Sequence, residues 1–322
     1  MAQFHAANRQ IAELPAGRKR TRLDNFKKEF HRGKYIYLML LPVVVYYVIF
    51  HYFPMVGIVI GFQDYTPGLG FFESKWVGFK HFINFFDSYY FWRLIRNTFL
   101  LNFWLLVFGF PAPILLALLL NEVRKSWFKR SVQTITYIPH FISMIVIVGM
   151  IKDFLSSDGL VNQLRAFMGY ESISFLQAAE YFRTIYVTSD IWQSIGWSSI
   201  IYFAALSHVN PDLYEASEID GAGRFKKMWH ITLPAIQPTI VILLILTIGN
   251  LLSSGFEKIL LLYQPLTYET ADVISTYVYR KGIESSSFSF ATAVGLFNTI
   301  VNFTLLIAAN RISRKVSETS LW

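Results

Sequence analysis

The sequence of 322 residues contains no cysteine, and only 16% of its residues are charged. Without cysteine the chain has neither disulfides nor thiolate metal ligands, so it indicates no redox compartment. Soluble domains carry about a quarter charged residues, and this chain has too few to cover a soluble surface. Its seven histidines are scattered without the spacing of a metal site. We therefore predict no metal site.

A nucleotide-binding site is also missing from the sequence. The P-loop pattern G-x-x-x-x-G-K-[ST] does not occur, and GAGRFK at residues 221–226 matches neither that pattern nor the dinucleotide fingerprint. No acidic pair or nucleophile–base set stands out in the apolar parts of the chain. The sequence thus predicts a protein that is not an enzyme and that binds no cofactor itself.

Apolar residues are what the sequence has in excess, at 54%. They form runs of about twenty residues without Lys or Arg, which is the pattern of membrane-spanning helices. We predict an all-α polytopic membrane protein with six transmembrane helices and three regions. These are a basic cytoplasmic segment at 1–34, a transmembrane domain at 35–310 and a cytoplasmic tail at 311–322. The six runs cover residues 35–62, 97–120, 132–151, 184–206, 237–257 and 288–310.

The basic residues fall between these runs and predict an orientation. If the N-terminus lies inside, the inner segments hold 19 of the 29 Lys and Arg residues, about twice the density of the outer segments. The chain is thus predicted to have both termini inside. Its net charge of +8 is concentrated in residues 18–34, beside the first run. A basic tail can bind RNA, but a position next to the membrane favours orientation and lipid contact, so we expect no nucleic-acid partner.

This orientation places a polar segment, residues 207–236, in the cytoplasm between the fourth and fifth runs. Asn210 and Pro211 are typical of a helix start, and Gly221 and Gly223 permit a sharp bend. The chain then resumes with Phe225, Met228 and Trp229, which are predicted to lie on one side. The segment therefore predicts two short helices at an angle, with apolar side chains that suit a groove in another protein.

The spacing within this segment resembles the EAA loop of ATP-binding-cassette importer permeases. Glu215-Ala216-Ser217 is followed by Gly221 and, nine residues later, by Ile231 and Leu233-Pro234. Ser217 departs from the alanine often found there, but it is also small. In that family the loop is the coupling helix that docks into a cytoplasmic ATPase subunit. The resemblance assigns ATPase coupling to Glu215, Ala216, Ser217, Asp220, Gly221, Ala222, Phe225 and Met228.

Further stretches resemble the carbohydrate-uptake subgroup of these permeases, the polysaccharide or lipoprotein type. They are YFPMVGIVIGFQDY, WVGFKHF, RNTF, YIPHFIS and LLLYQPLTYETADVISTYVYRKG. The resemblance implies a type I importer permease in a prokaryotic inner membrane. It further implies a second permease subunit in a heterodimer, two ATPase subunits that bind ATP and Mg, and an extracytoplasmic solute-binding protein. An alginate-type importer of acidic oligosaccharides is one specific possibility.

Polar residues within the predicted spans are candidates for a solute pathway, because such residues are costly in lipid. The alternative is hydrogen bonding between helices, which remains open for each of them. An acidic solute would be repelled by Asp190 and Glu257 unless Lys152, Lys258 or Arg280 offset their charge. The candidates are Asp190, Trp192, Gln193, Ser194 and Trp197 in the fourth span, Asn250, Ser253, Ser254 and Glu257 in the fifth, and Asn298 in the sixth.

The hypothesis is a permease that imports a sugar or oligosaccharide by alternating access, driven by a separate ATPase through residues 215–228. Two alternatives are a polytopic membrane enzyme acting on lipid-linked sugars and an ion-coupled carrier. The enzyme needs a clustered acid or metal site, and the carrier needs paired charges near the middle of the membrane. Co-purification with an ATPase subunit distinguishes the importer from both.

Overall fold

The structure, a computed structural model, describes residues 22–252, 255–316 and 320–321, with side chains from residue 33 onward except that of residue 316. The chain divides into two compact units, Met1–Gly57 and Ile58–Trp322. The described part of the first unit contains the helix α1, Arg22–Tyr47, which continues as a π-helical turn, Val48–Tyr52. From Tyr35 onward its apolar side chains are exposed, as in a helix segment that is apolar all round and surrounded by lipid.

The second unit is helical apart from one two-stranded antiparallel ribbon, in which β1, Gln63–Asp64, pairs with β2, Lys75–Trp76. A 3₁₀ helix, Phe53–Phe62, leads into this ribbon. The helices before the polar segment are α2 Gly70–Glu73, α3 Lys80–Phe86, α4 Phe91–Trp104, α5 Pro111–Glu122, α6 Ser126–Tyr137, α7 Met144–Leu155, α8 Leu160–Phe167 and α9 Ala179–Leu206. Those from the polar segment onward are α10 Pro211–Ile219, α11 Arg224–Lys227, α12 Leu233–Ala235, α13 Gln237–Gly249, α14 Phe256–Leu262, α15 Tyr268–Ala271, α16 Ile274–Tyr279 and α17 Phe288–Val316.

The core of the bundle is built around α9, which has 28 residues and is therefore about 42 Å long. It packs along α5 and α6, while α13 packs along α17. Gly196 permits the contact between α9 and α6, because a β-carbon there would meet the backbone carbonyl of Thr136. Two helices approach this closely only where one of them lacks a side chain.

Three helices of the described chain are long and apolar enough to span a membrane: Gly33–Phe62, Phe91–Glu122 and Phe288–Lys315. Two further spans arise if each bent pair of helices is counted as one. These three helices contain or coincide with the first, second and sixth predicted runs. The fourth run lies on α9, which is long enough to span a membrane but is not among the helices counted, because its polar residues lower its mean hydropathy. The count of six spans therefore stays a prediction.

The third and fifth predicted spans are not straight helices, which the apolar runs did not indicate. The third is bent by 103° between Phe141 and Met144, after Pro139 ends α6 and where the Ser143 side chain caps α7. In the fifth, α13 ends at Gly249, and the chain resumes as α14 at Phe256. Backbone N–H and C=O groups that lose their partners within the helix at this break need partners from neighbouring helices.

Candidate functional site

The polar segment forms a module of two short helices, α10 and α11, as predicted. Asn210 begins it by accepting a hydrogen bond from the backbone N–H of Asp212 at 3.0 Å, and Pro211 is the first helical residue. At the other end of α10 the chain reverses at Gly221, whose φ of +72° lies in the left-handed region. The N–H of Ala222 donates to the carbonyl of Ser217, and that of Gly221 to the carbonyl of Glu218. This pair of bonds is a Schellman motif.

Two side-chain contacts also join α10 to the chain that follows the turn. Lys227 donates to the Glu218 carboxylate at 2.5 Å, and the hydroxyls of Tyr214 and Thr232 lie 3.0 Å apart. The hydrogen bond from Lys227, together with its charge, holds the pKa of Glu218 below its ordinary value. Because Glu218 is exposed, this ion pair contributes little to stability. The backbone turn at Gly221 is therefore the main determinant of the shape of the module.

The predicted coupling residues fall into two groups. Most are exposed or half-buried at the module surface: Glu215, Ala216, Ser217, Asp220, Gly221, Ala222 and Phe225. Met228 instead packs against the buried cluster that contains Leu118, Tyr202 and Ile236, and it thus ties the module to the bundle. Ile219, which sequence reasoning missed, is 89% exposed at the end of α10. A lone apolar residue between Glu218 and Asp220 was the only signal in the sequence.

A cavity of about 640 Å³ lies within the bundle, between α4, α9 and α13. Four of the predicted pathway residues line it: Asp190, Ser194, Trp197 and Asn250. Asn102, which was not predicted, also lines it. The volume of the cavity is in the range of small-ligand sites. The cavity therefore brings together polar groups from the second, fourth and fifth predicted spans.

Trp197 presents a flat aromatic face in this cavity. Its ring stacks on His140 with the centroids 4.5 Å apart and the planes 3° from parallel, and 44% of Trp197 remains exposed. Packing on one face holds the indole in a fixed orientation while part of it stays accessible. A rigid indole beside hydrogen-bonding groups suits a solute with both hydroxyl groups and apolar faces.

Asp190 is neutralised by a buried partner. Lys258 is 1% exposed, and its ammonium lies 3.4 Å from the Asp190 carboxylate and 5.5 Å from the centre of the Tyr186 ring. The break in the fifth predicted span positions Lys258, because α14 begins just before it at Phe256. Of the basic residues considered as offsets for an acidic solute, Lys258 therefore reaches Asp190.

The other predicted pathway residues lie elsewhere. Trp192 lines a separate, mostly apolar cavity of about 560 Å³ beside α7. Glu257 is exposed, and Gln193 lines neither cavity. Asn298 donates to the carbonyl of Leu252 at 3.2 Å, which supports the break after α13, and it does not line the cavity. Ser253 and Ser254 lie outside the described residues.

A largely buried polar cluster contacts α9 near its N-terminal end, through Arg183. We call it the Asp272 cluster, and it consists of Arg93, Asn97, Asp272, Thr276 and Arg280. The Asp272 carboxylate is 0% exposed and accepts from Arg280 at 2.7 Å, Arg93 at 3.3 Å and the Thr276 hydroxyl at 3.0 Å. Burial lowers the pKa of Arg280, but the hydrogen bond and charge of Asp272 outweigh this, so the pKa lies above its ordinary value. Asp272 lies in one of the motifs quoted above, but no local pattern indicated its role.

No group of three or more His, Asp or Glu side chains among the described residues is arranged to hold a metal ion.

Known proteins similar to this chain agree with this architecture. Residues 109–317 match the family described as "Binding-protein-dependent transport system inner membrane component". The chain is 50% identical over 290 residues to the "Polygalacturonan/rhamnogalacturonan transport system permease protein YteP" of Bacillus subtilis (strain 168), with 90% of each chain covered.

Solved structures are similar as well. A chain of a bacterial alginate ABC transporter, in complex with an alginate pentasaccharide-bound periplasmic protein, is 44% identical with a TM-score of 0.85. The match covers 91% of this chain and 99% of that one. A structure of a bacterial ABC transporter involved in the import of the acidic polysaccharide alginate gives the same values.

Proposed function

The chain belongs to the family of binding-protein-dependent transport system inner membrane components, and from this premise we propose how it carries its solute. It is the permease subunit of an ABC importer and not an enzyme. We propose that its solute is an oligosaccharide, and that the cavity between α4, α9 and α13 forms part of the solute pathway. The similarity to permeases named for polygalacturonan and alginate supports an acidic oligosaccharide.

The cavity is the observation that carries the proposal. It combines a fixed aromatic face, Trp197, with hydroxyl, amide and carboxylate groups from Ser194, Asn250 and Asp190. A sugar needs this combination, because its rings have apolar faces and its edges carry hydroxyl groups. The Asp190 carboxylate accepts hydrogen bonds from hydroxyls, while Lys258 offsets its charge. The cavity is thereby suited to neutral and acidic sugars alike.

The mechanism we propose is alternating access driven through the module of α10 and α11. An ATPase subunit, which supplies the ATP and Mg site, holds the module in a groove on the cytoplasmic side. When two such subunits close, the module moves with them. Met228 and the residues around Ile236 transmit the displacement to α5 and α9. Contacts that differ between the two states provide the coupling free energy.

The assembly in this proposal contains a second permease, two ATPase subunits and an extracytoplasmic solute-binding protein in the inner membrane. Its test is ATP hydrolysis by the assembly reconstituted in lipid vesicles with the binding protein outside. We expect an oligosaccharide panel to contain members that raise the ATPase rate severalfold. If neither neutral nor acidic oligosaccharides change the rate, the proposal is wrong.

The docking of the module is tested by single-cysteine cross-linking, which is straightforward because the chain contains no cysteine. Ile219→Cys places a thiol on the exposed end of α10, and we expect it to cross-link to the ATPase subunit. Ile283→Cys is the matched control, because it is also exposed but follows α16, far along the chain from the module. Equal cross-linking by both, or by the control alone, would rule out the docking surface.

A further inference from the structure

Arg183 is a half-buried cation without a carboxylate partner among the side chains that the structure describes. It donates one hydrogen bond there, from Nη2 to Oδ1 of Asn97 at 3.1 Å, and its Nε is buried with no acceptor. Arg93 and Arg280, by contrast, both pair with Asp272. Removing a guanidinium from water without a counter-charge costs free energy. An anion that pairs with Arg183 would offset this cost.

The surroundings increase this cost. Arg96 adds a second positive charge near Arg183, and Glu269 only partly opposes it. Arg96 itself donates to the backbone carbonyl of Glu269 and to no carboxylate among the described side chains. The region around Arg183 therefore carries excess positive charge, and an anion bound there gains a charge-assisted hydrogen bond.

Asn97 holds the guanidinium in a fixed position. It is 0% exposed, and its amide nitrogen donates to the backbone carbonyls of Glu269 at 2.8 Å and Asp272 at 3.1 Å. With both N–H groups directed to these carbonyls, its Oδ1 remains for Arg183. The Asp272 cluster thus orients Arg183 before any ligand arrives, and pre-organised groups bind at a lower entropic cost.

Arg183 lines a cavity of about 510 Å³ between α4 and α9, together with Trp104 and Phe108. The two rings are stacked, with centroids 5.6 Å apart and planes 14° from parallel, and they are 39% and 54% exposed. Thr184 and Thr188 also line the cavity. An accessible aromatic wall with hydroxyls and a cation at one end complements a pyranose ring that carries a carboxylate.

We propose that Arg183, positioned by Asn97, binds a carboxylate of an acidic oligosaccharide whose ring lies against Trp104 and Phe108. This inference rests on the proposed function, since it names a substrate class for that importer. Arg183 lies 23 residues before the end of α9 at Leu206, a distance of about 35 Å along the helix. The carboxylate site is therefore at the end of the bundle away from the coupling module, where solute enters in the proposed orientation.

The test measures ATPase stimulation of the complete reconstituted importer by trigalacturonate, trimannuronate and the fully methyl-esterified trigalacturonate. Arg183→Gln removes the charge, and we expect it to raise the half-saturating concentration of the two acids at least about tenfold, the effect of losing a charged hydrogen bond. Its response to the ester should stay unchanged. Arg165→Gln is the control, since it removes an equal charge from another half-buried arginine, which donates to the backbone carbonyl of Glu171.

Two further variants keep the test decisive if Arg183→Gln fails to assemble. Arg183→Lys retains the charge but not the two-pronged geometry, and should weaken the response to both acids without affecting the ester. Trp104→Leu removes ring stacking and should weaken the responses to acid and ester equally.

Several outcomes would overturn the carboxylate site while leaving the importer intact. These are unchanged responses to the acids in both Arg183 variants, or stimulation of the wild-type importer by neutral oligosaccharides but by neither acid. A third is loss of the second permease subunit from Arg183→Gln but not Arg183→Lys, which would identify a carboxylate of that subunit as the partner. Absence of any stimulation by neutral or acidic sugars is different, because it would contradict the proposed function itself.

Discussion

The coupling module and the Asp272 cluster are both polar, but they are built in opposite ways. The module exposes its side chains, and a backbone turn at Gly221 with one exposed ion pair determines its shape. The Asp272 cluster is buried, and charged hydrogen bonds between α4, α15, α16 and the segments beside them hold it together. At one end of the bundle the polar residues are exposed, in the module that we propose docks into an ATPase subunit. At the other end they join helices and position Arg183.

We expect the largest loss of stability from a substitution at Asp272, in the buried cluster. Asp272→Asn keeps the shape of the side chain but leaves the half-buried Arg93 and Arg280 without their buried counter-charge. We expect the free energy of unfolding to fall by about 3–5 kcal/mol, measured as thermal unfolding of the purified assembly. Glu269→Gln is the control, because Glu269 is exposed and contributes its backbone carbonyl. Equal stability of both variants would contradict a structural role for the cluster.

A smaller loss is expected where α9 crosses α6. The β-carbon of Gly196→Ala would meet the carbonyl of Thr136, so the helices must separate at a cost of about 1–3 kcal/mol. Gly149→Ala makes the same change in α7 where nothing lies within 4 Å, and should be neutral or slightly stabilising. Melting temperatures of the two variants provide the measurement. A neutral Gly196→Ala would show that the contact is loose.

At the module we expect an effect on coupling more than on stability. Gly221→Ala forces a β-carbon into the left-handed region, which costs about 1 kcal/mol, and the turn between α10 and α11 opens. ATP hydrolysis should then continue while solute stimulation falls. Gly223→Ala is the matched control, because Gly223 has an ordinary φ of −70° and equally open surroundings, so alanine should fit there without strain. Similar coupling in the two variants would remove the special role of the Gly221 turn.

The smallest effect is expected from the ion pair of the module. Because Lys227 lowers the pKa of Glu218, the pair stabilises the fold above the pKa of the unfolded carboxyl and is lost as the pH falls through the lower folded value. Near pH 7 the pair is fully formed but exposed, so Glu218→Gln should leave solute-stimulated hydrolysis nearly unchanged. A large loss would indicate that the carboxylate itself contacts the ATPase subunit.

Local patterns in the sequence predicted much of the fold and of the module. Apolar runs indicated the long helices, and Asn210, Pro211 and Gly221 indicated a start and a turn that the structure contains. Such signals depend only on residues within a few positions of each other. The same local reasoning failed at the third predicted span, where the 103° bend follows Pro139 inside an apolar run.

The structure divides the predicted stripe on α9 between two cavities, and the role of these residues in solute transport stays a prediction. Asp190, Ser194 and Trp197 line one cavity, but Trp192, on another face of the same helix, lines a different one. Helical spacing shows which residues share a face, yet it does not show which neighbour covers that face. Asn298 shows the same limit, since its amide supports a chain break in another helix.

The sequence by itself determined the class of protein, the apolar helices and the bent module, because these follow from composition and from interactions between close neighbours along the chain. Only the tertiary structure decided that Lys258 offsets Asp190 and that Asn97 positions Arg183, pairs separated by 68 and 86 residues. Charges meet across such distances only after helices pack. The packing therefore determines which polar residues are paired with one another and which line the cavities.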